Sequence, residues 1–102
     1  MITEAEIQKA LQDVKDPELG YNIVALGLIY ESSSDENGNI KILYTLTSPA
    51  CPEGATIEKN IRDRIRLING VKDVKTELTF SPAWSADKMS PELRTEFGLM
   101  GI

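Results

Sequence analysis

The strongest constraint in this chain is a change of hydrophobic period near its middle. Between residues 40 and 47, Ile40, Ile42, Tyr44 and Leu46 point one way while Lys41, Leu43, Thr45 and Thr47 point the other, the period of a half-buried strand. Ile57, Ile61, Ile65 and Ile68 then recur at helical spacing within a segment running from about Pro52 to Ile68, which reads as an amphipathic helix with one buried stripe. Over 71–80 the alternation returns, with Val74, Thr76, Leu78 and Phe80 sharing a face. A helix that carries the chain from one strand to the next is a crossover, so these two strands run parallel.

Flanking signals supply the other elements. Thr3-Glu4-Ala5-Glu6 is a capping box, and Ile7, Ala10, Leu11 and Val14 follow at helical spacing, predicting a helix over 3–14. Pro17 ends it, because the residue before a proline is pushed out of the helical region. Residues 23–31, rich in Ile, Val and Leu, read as a strand, and Gly27 within them marks a bulge or a close backbone approach. Asn37-Gly38 predicts a hairpin into the strand at 40, and Asn69-Gly70 stops the second helix. The tail carries Pro82, Trp84 and a short helix capped by Ser90 with Pro91 at its first position. The order helix-strand-strand-helix-strand-helix predicts an α+β two-layer sandwich on a small three-stranded mixed sheet.

Composition limits the function classes. At 102 residues, 41% of them hydrophobic, residues 1–102 fit one domain stabilised by packing. A single cysteine forms no internal disulfide, and there is no histidine for acid–base or metal chemistry. No apolar run reaches the ~20 residues of a membrane span, and Met1-Ile2-Thr3-Glu4 lacks a secretory signal's basic and apolar regions. One free thiol without an export signal leads us to expect a cytoplasmic protein. A net charge of −5 argues against nucleic-acid or anionic-lipid partners. The cations Lys59, Arg62, Arg64 and Arg66 are interrupted by Glu58 and Asp63, the pattern of a solvated helix face. No Gly-rich phosphate loop, dinucleotide fingerprint or CxxC pair is present.

Cys51 is the first candidate for chemistry. It precedes Pro52 at the expected start of the second helix, where free N–H groups and the helix dipole stabilise a thiolate; the alternative is a buried, inert thiol. Asp16 and Glu18, separated by Pro17, can bind a metal or pair as acid and base, or simply form a polar turn. Thr47 and Ser48 either line a site near Cys51 or satisfy backbone groups at a strand end. Trp84 and Met89 sit in the tail, where a lone tryptophan packs over the core or stacks on a ligand.

Four segments then carry a resemblance. DPELGYNIVALGLIY (Asp16 to Tyr30), TLTSPACP (Thr45 to Pro52), INGV (Ile68 to Val71) and LTFSPAWSADKMSPELRTEFG (Leu78 to Gly98) resemble, in order and spacing, the small metal–sulfur cluster biosynthesis family. It includes SufT- and PaaD-like iron–sulfur assembly factors and is related to a subunit of the cytosolic iron–sulfur targeting complex. The resemblance covers nearly the whole chain, with Trp84-Ser85-Ala86 where Trp-Thr-Pro is usual and Glu53 where an apolar residue is common. It implies a fold like iron–sulfur scaffold C-terminal domains, and site residues at Asp16, Glu18, Thr47, Ser48, Cys51, Trp84, Met89 and Ser90. The cysteine-rich extension of some PaaD-type members is not present, so no tail zinc site is expected.

The resemblance implies an accessory factor, not an enzyme, that works with iron–sulfur assembly proteins and apo-protein clients. Clusters are normally held by four thiolates or a near equivalent, and one chain offers only Cys51. Three routes remain open. Cys51 binds iron or a cluster transiently during hand-over; two Cys51 thiolates meet across a homodimer's two-fold axis; or the domain is an interaction adaptor that binds no metal.

Overall fold

A computed structural model describes residues 2–48 and 52–99. Helix α1 (Glu4–Leu11) starts at a complete capping box, with the Glu6 N–H donating to Thr3 Oγ1 at 3.1 Å and the Glu6 carboxylate accepting from the Thr3 N–H. Its regular part ends three residues before the predicted Val14. Tighter bonds, from Asp13 N to Ala10 O and Val14 N to Leu11 O, close the last turn and still bury Val14.

Strand β1 (Ile29–Ser34) and strand β2 (Asn39–Tyr44) form the predicted hairpin, antiparallel in register from Ile29↔Tyr44 to Ser34↔Ile40. Asp35 closes it: its Oδ1 accepts from Asn37 N at 2.8 Å and Asn39 N at 3.0 Å. The Asn39 side chain and these two N–H groups hold the Asp35 carboxyl below the usual range. Helix α2 (Gly54–Arg66) crosses over to strand β3 (Asp73–Leu78), which pairs parallel with β2. The sheet order is β1-β2-β3, so the mixed three-stranded topology matches the expectation. A 3-10 turn (Ala86–Lys88) and helix α3 (Pro91–Leu99) complete the chain, α3 being capped by Ser90 Oγ accepting from Leu93 N.

The core lies on one face of the sheet. Ile40, Ile42 and Tyr44 share it with Ile7 and Leu11 of α1 and with Ile57, Ile61 and Ile65 of α2, all essentially inaccessible to water. Fully burying one such side chain stabilises the fold by about 1.5–3 kcal/mol, so this face sets the stability of the domain. Ile68 is only half-buried, because α2 has ended before it.

Two local expectations are corrected. Residues 23–28 are not strand; they fold as successive turns, with Leu26 N donating to Asn22 O and Gly27 N to Val24 O. Asn22 Oδ1 accepts from Ala25 N at 2.8 Å, so a side-chain cap competes with extension and wins. Helix α2 starts at Gly54 and not at Pro52, because Glu53 sits at φ −95°, ψ 10° and makes no side-chain cap. Gly54 also lies against Leu46, where a side chain would press on its methyl at 3.0 Å. On β3, Val74 is buried while Leu78 and Phe80 are 44% and 39% exposed.

Candidate functional site

Asp16, Trp84 and Ser90 are all hydrogen-bonded to the segment 21–28. Four parts of the chain are fastened to it: the Asp16 turn, the exit of β2, the tail tryptophan and the start of α3.

The Asp16 turn is built by its own carboxylate. Asp16 is 2% exposed, and its Oδ1 accepts from Glu18 N at 2.8 Å and Leu19 N at 3.2 Å. Its backbone adds Gly20 N to Asp16 O at 2.7 Å and Asp16 N to Tyr21 O at 3.0 Å. This Asx turn satisfies a buried carboxylate with backbone donors, and Pro17 contributes its own fixed φ to the turn. Of the two readings open for Asp16 and Glu18, the polar turn accounts for the observed bonds. Glu18 itself is exposed at the turn's surface.

β2 leaves the sheet beside this turn region. Thr45 N donates to Leu28 O at 2.8 Å and the Thr45 side chain is fully buried. Strict alternation puts Thr45 on the polar face, but the strand ends at Tyr44 and the alternation ends with it. Thr47 is half-buried and Ser48 exposed. Cys51 lies outside the described residues.

The tail returns over the same segment. Trp84 is half-buried, and its indole N–H donates to Leu26 O at 2.6 Å. Met89 is 7% exposed and belongs to the core. Ser90 N donates to Ala25 O at 2.7 Å. The Tyr21 hydroxyl reaches Glu96 Oε1 at 2.6 Å, and this bond to a carboxylate raises its pKa above the ordinary tyrosine value. Gly27, at φ +76°, is the close approach anticipated from the sequence: a Cβ there would overlap the Lys88 carbonyl.

Beside these contacts runs a cleft of about 620 Å³ lined by Leu43, Tyr30, Glu31, Ser81, Pro82 and Lys88 among others. Tyr30 donates to Pro82 O at 2.7 Å, and Lys88 Nζ stands 5.2 Å from the Tyr30 ring centre, a cation–π distance. Sequence reasoning missed Tyr30, Lys88 and Asn22; the turn-forming Asn22 after Gly20-Tyr21 was the one local signal for the bend.

Tyr44 is buried in the core near Glu58. Burial and then the Glu58 charge push its phenol pKa up. Three of the helix α2 cations are paired with acids: Lys59 with Asp63 at 2.7 Å, Arg62 with Glu58 at 3.2 Å and Arg64 with Asp13 at 2.9 Å. Among the described residues no three acidic, Cys or His groups stand close enough to hold a metal ion, and no helix is long and apolar enough to cross a membrane.

A family model for iron–sulfur cluster assembly proteins matches residues 4–78. The chain belongs to the iron–sulfur cluster assembly protein family. A Porphyromonas gingivalis Fe-S protein maturation auxiliary factor is 40% identical over 96% of this chain and 93% of its own length. The Fe-S protein maturation auxiliary factor SufT of Staphylococcus aureus is 36% identical over 84% of this chain and 98% of its own. A domain of unknown function from Bacillus anthracis has the same fold in its crystal structure, at a TM-score of 0.89 and 33% identity, covering 94% of this chain and 92% of that one. The SufT-like resemblance and the α+β fold it implied are thus both found. Within this family the residues from α1 to β3 are the matched part, and the tail that carries Trp84 and Met89 lies beyond residue 78.

Proposed function

We propose that this protein is an accessory factor in iron–sulfur cluster assembly, passing iron or a cluster to apo-protein clients with Cys51 as a transient thiolate ligand. Family membership and the names of its full-length relatives support the general role. The observation that supports the local reading is the set of hydrogen bonds to segment 21–28 from Asp16 N, Thr45 N, Trp84 Nε1 and Ser90 N.

The cluster is cargo here, and one thiolate per chain suits a brief bond better than storage. Asp16 shapes the site: its Oδ1 is committed to two backbone donors, so its first task is to hold the turn. Glu18 and Ser48 are exposed and within reach of a partner's surface, while Thr47 is half-buried and can offer its hydroxyl to an anion or sulfide. Trp84 has spent its N–H on Leu26, leaving its ring to cover the tail. Met89 fixes that tail from the core side.

The test is maturation of an iron–sulfur client enzyme in cells carrying only a variant of this chain. Cys51→Ser is expected to lose client activity, and Asp16→Asn, which retains an oxygen for the turn, is expected to keep it. Wild-type client activity with Cys51→Ser would remove the thiolate role. The exposed apolar pair Leu78 and Phe80 favours a second reading, a metal-free adaptor. In that case Cys51→Ala still captures assembly proteins and clients from extract and still supports maturation.

A further inference from the structure

The sheet has two edges, and they are finished differently. At the β1 edge the ladder is interrupted by a bulge between Ile29 and Glu31, and Tyr30 is bonded to Pro82 of the tail. At the β3 edge the residues run in unbroken register with β2, from Asn39↔Asp73 to Tyr44↔Leu78. No proline interrupts residues 73–80. A straight, open edge offers backbone donors and acceptors to another strand, and natural edges are usually blunted against that.

The inner ladder decides which groups face outward. Thr79 N donates to Tyr44 O at 2.9 Å, so odd-numbered residues of β3 turn their N–H and C=O toward β2. Along a strand these groups alternate, and Val74, Thr76 and Leu78 therefore turn theirs to the open edge. Side chains alternate on the perpendicular axis. Lys75 and Glu77 are exposed on the face away from the helices; Val74 and Leu78 lie on the helix side, Leu78 still 44% exposed.

We infer that β3 pairs antiparallel with β3 of a second copy about a two-fold axis at Thr76. In that register every outward N–H and C=O from Val74 to Leu78 meets a complementary group. Lys75 of each copy lies opposite Glu77 of the other, in the non-hydrogen-bonded positions where side chains approach most closely. Val74 lies opposite Leu78 and covers part of its exposed surface. An axis at Lys75 or Glu77 would set like charges against each other. An axis at Val74 would run the pairing onto Gly70–Lys72, outside the strand. The charge pattern Lys75-Thr76-Glu77 is thus self-complementary about one position, and the backbone polarity is compatible with an axis there.

The geometry has a consequence for the site. The two β2 strands run in opposite directions in such a dimer, so the segments that follow Tyr44 leave on opposite sides of the axis. Each copy's Thr45 then stays bonded to its own Leu28. The inference stands apart from the proposed function, and either can fail alone.

Sedimentation equilibrium of the full chain under reducing conditions, from about 10 μM to about 1 mM, spans the affinity range of a modest strand-pairing interface. A monomer–dimer equilibrium is expected. Glu77→Lys and Lys75→Glu should each weaken it by about tenfold or more, since two cross-strand pairs turn repulsive. The double exchange, Lys75→Glu with Glu77→Lys, should restore it. Glu77 loses only an exposed pairing with Lys41 at 3.7 Å, so the fold is retained. Thr76→Pro removes an outward N–H without removing a bond to β2 and should weaken the dimer similarly, with far-UV circular dichroism confirming the fold. A wild type that stays monomeric throughout, or a dimer indifferent to the single charge reversals, overturns the inference.

Discussion

On the inner face of the sheet, Ile40, Ile42 and Tyr44 are sealed by the isoleucine stripe of α2 and by Ile7 and Leu11 of α1. On the outer face the cover is the tail, which borders a cleft with Leu43 and Tyr30 and is tied down by hydrogen bonds from Trp84 and Ser90 to the turns at Leu26 and Ala25. The inner face is held by apolar area, which is non-directional and additive over many contacts. The outer face is held by a few directional bonds, each worth about 0.5–1.5 kcal/mol net. Opening the inner face therefore unfolds the domain, whereas the outer cover can be loosened while the sheet persists. The candidate residue Trp84 belongs to that second, more readily perturbed region, while Met89 is anchored in the core.

Substitutions separate the two faces, and the inner one should give the largest effect. Ile61→Ala removes a fully buried side chain and is expected to cost about 2–5 kcal/mol in denaturant unfolding, with tail and sheet lost together. Gly27→Ala comes next. It imposes a side chain at φ +76° and against the Lys88 carbonyl, and should cost about 1–3 kcal/mol. Its distinguishing mark is a red-shifted Trp84 emission in a protein whose far-UV spectrum is unchanged. Equal loss of far-UV signal would mean that the two faces are one cooperative unit.

Trp84→Phe retains the ring but not the donor to Leu26 O. About 1 kcal/mol of stability should go, and amide exchange should quicken in residues 24–28 while β2 stays protected. The smallest effect is one of pH and belongs to the inner face. The Tyr44 phenol is raised above its value of 10.0 in the unfolded chain by burial and by Glu58. Its contribution is therefore fully present below pH 10 and is lost as pH rises through the higher folded value. Tyr44→Phe should flatten that alkaline decline in a pH series of melting temperatures.

Legibility differed between the two faces for the same reason. The inner face was readable because periodicity reports which side chains a strand or helix turns inward: Ile40, Ile42 and Tyr44 at period two, Ile57, Ile61 and Ile65 at helical period. The outer cover was not, because residues 23–28 form an apolar run that suits a buried strand as well as a buried turn. Ile23, Leu26 and Leu28 are all buried in either case. Asp16 shows an intermediate situation. Its residue type and its neighbour Pro17 allowed both a turn and a ligand, and the two N–H groups on its Oδ1 show the turn. The family motifs, not periodicity, marked Cys51, Thr47, Ser48, Trp84 and Met89 as a set.

By itself the amino-acid order determined the elements, the hairpin, the parallel crossover and the composition of the core, since local propensity and hydrophobic period act within one segment at a time. Tertiary structure alone decided that Thr45 is buried, that Leu78 and Phe80 are left uncovered and that the tail lies across Gly27. Each of those depends on what a distant segment offers or withholds (a carbonyl from Lys88, a donor from Trp84, the end of a helix), and no local pattern encodes the presence of a neighbour dozens of residues away.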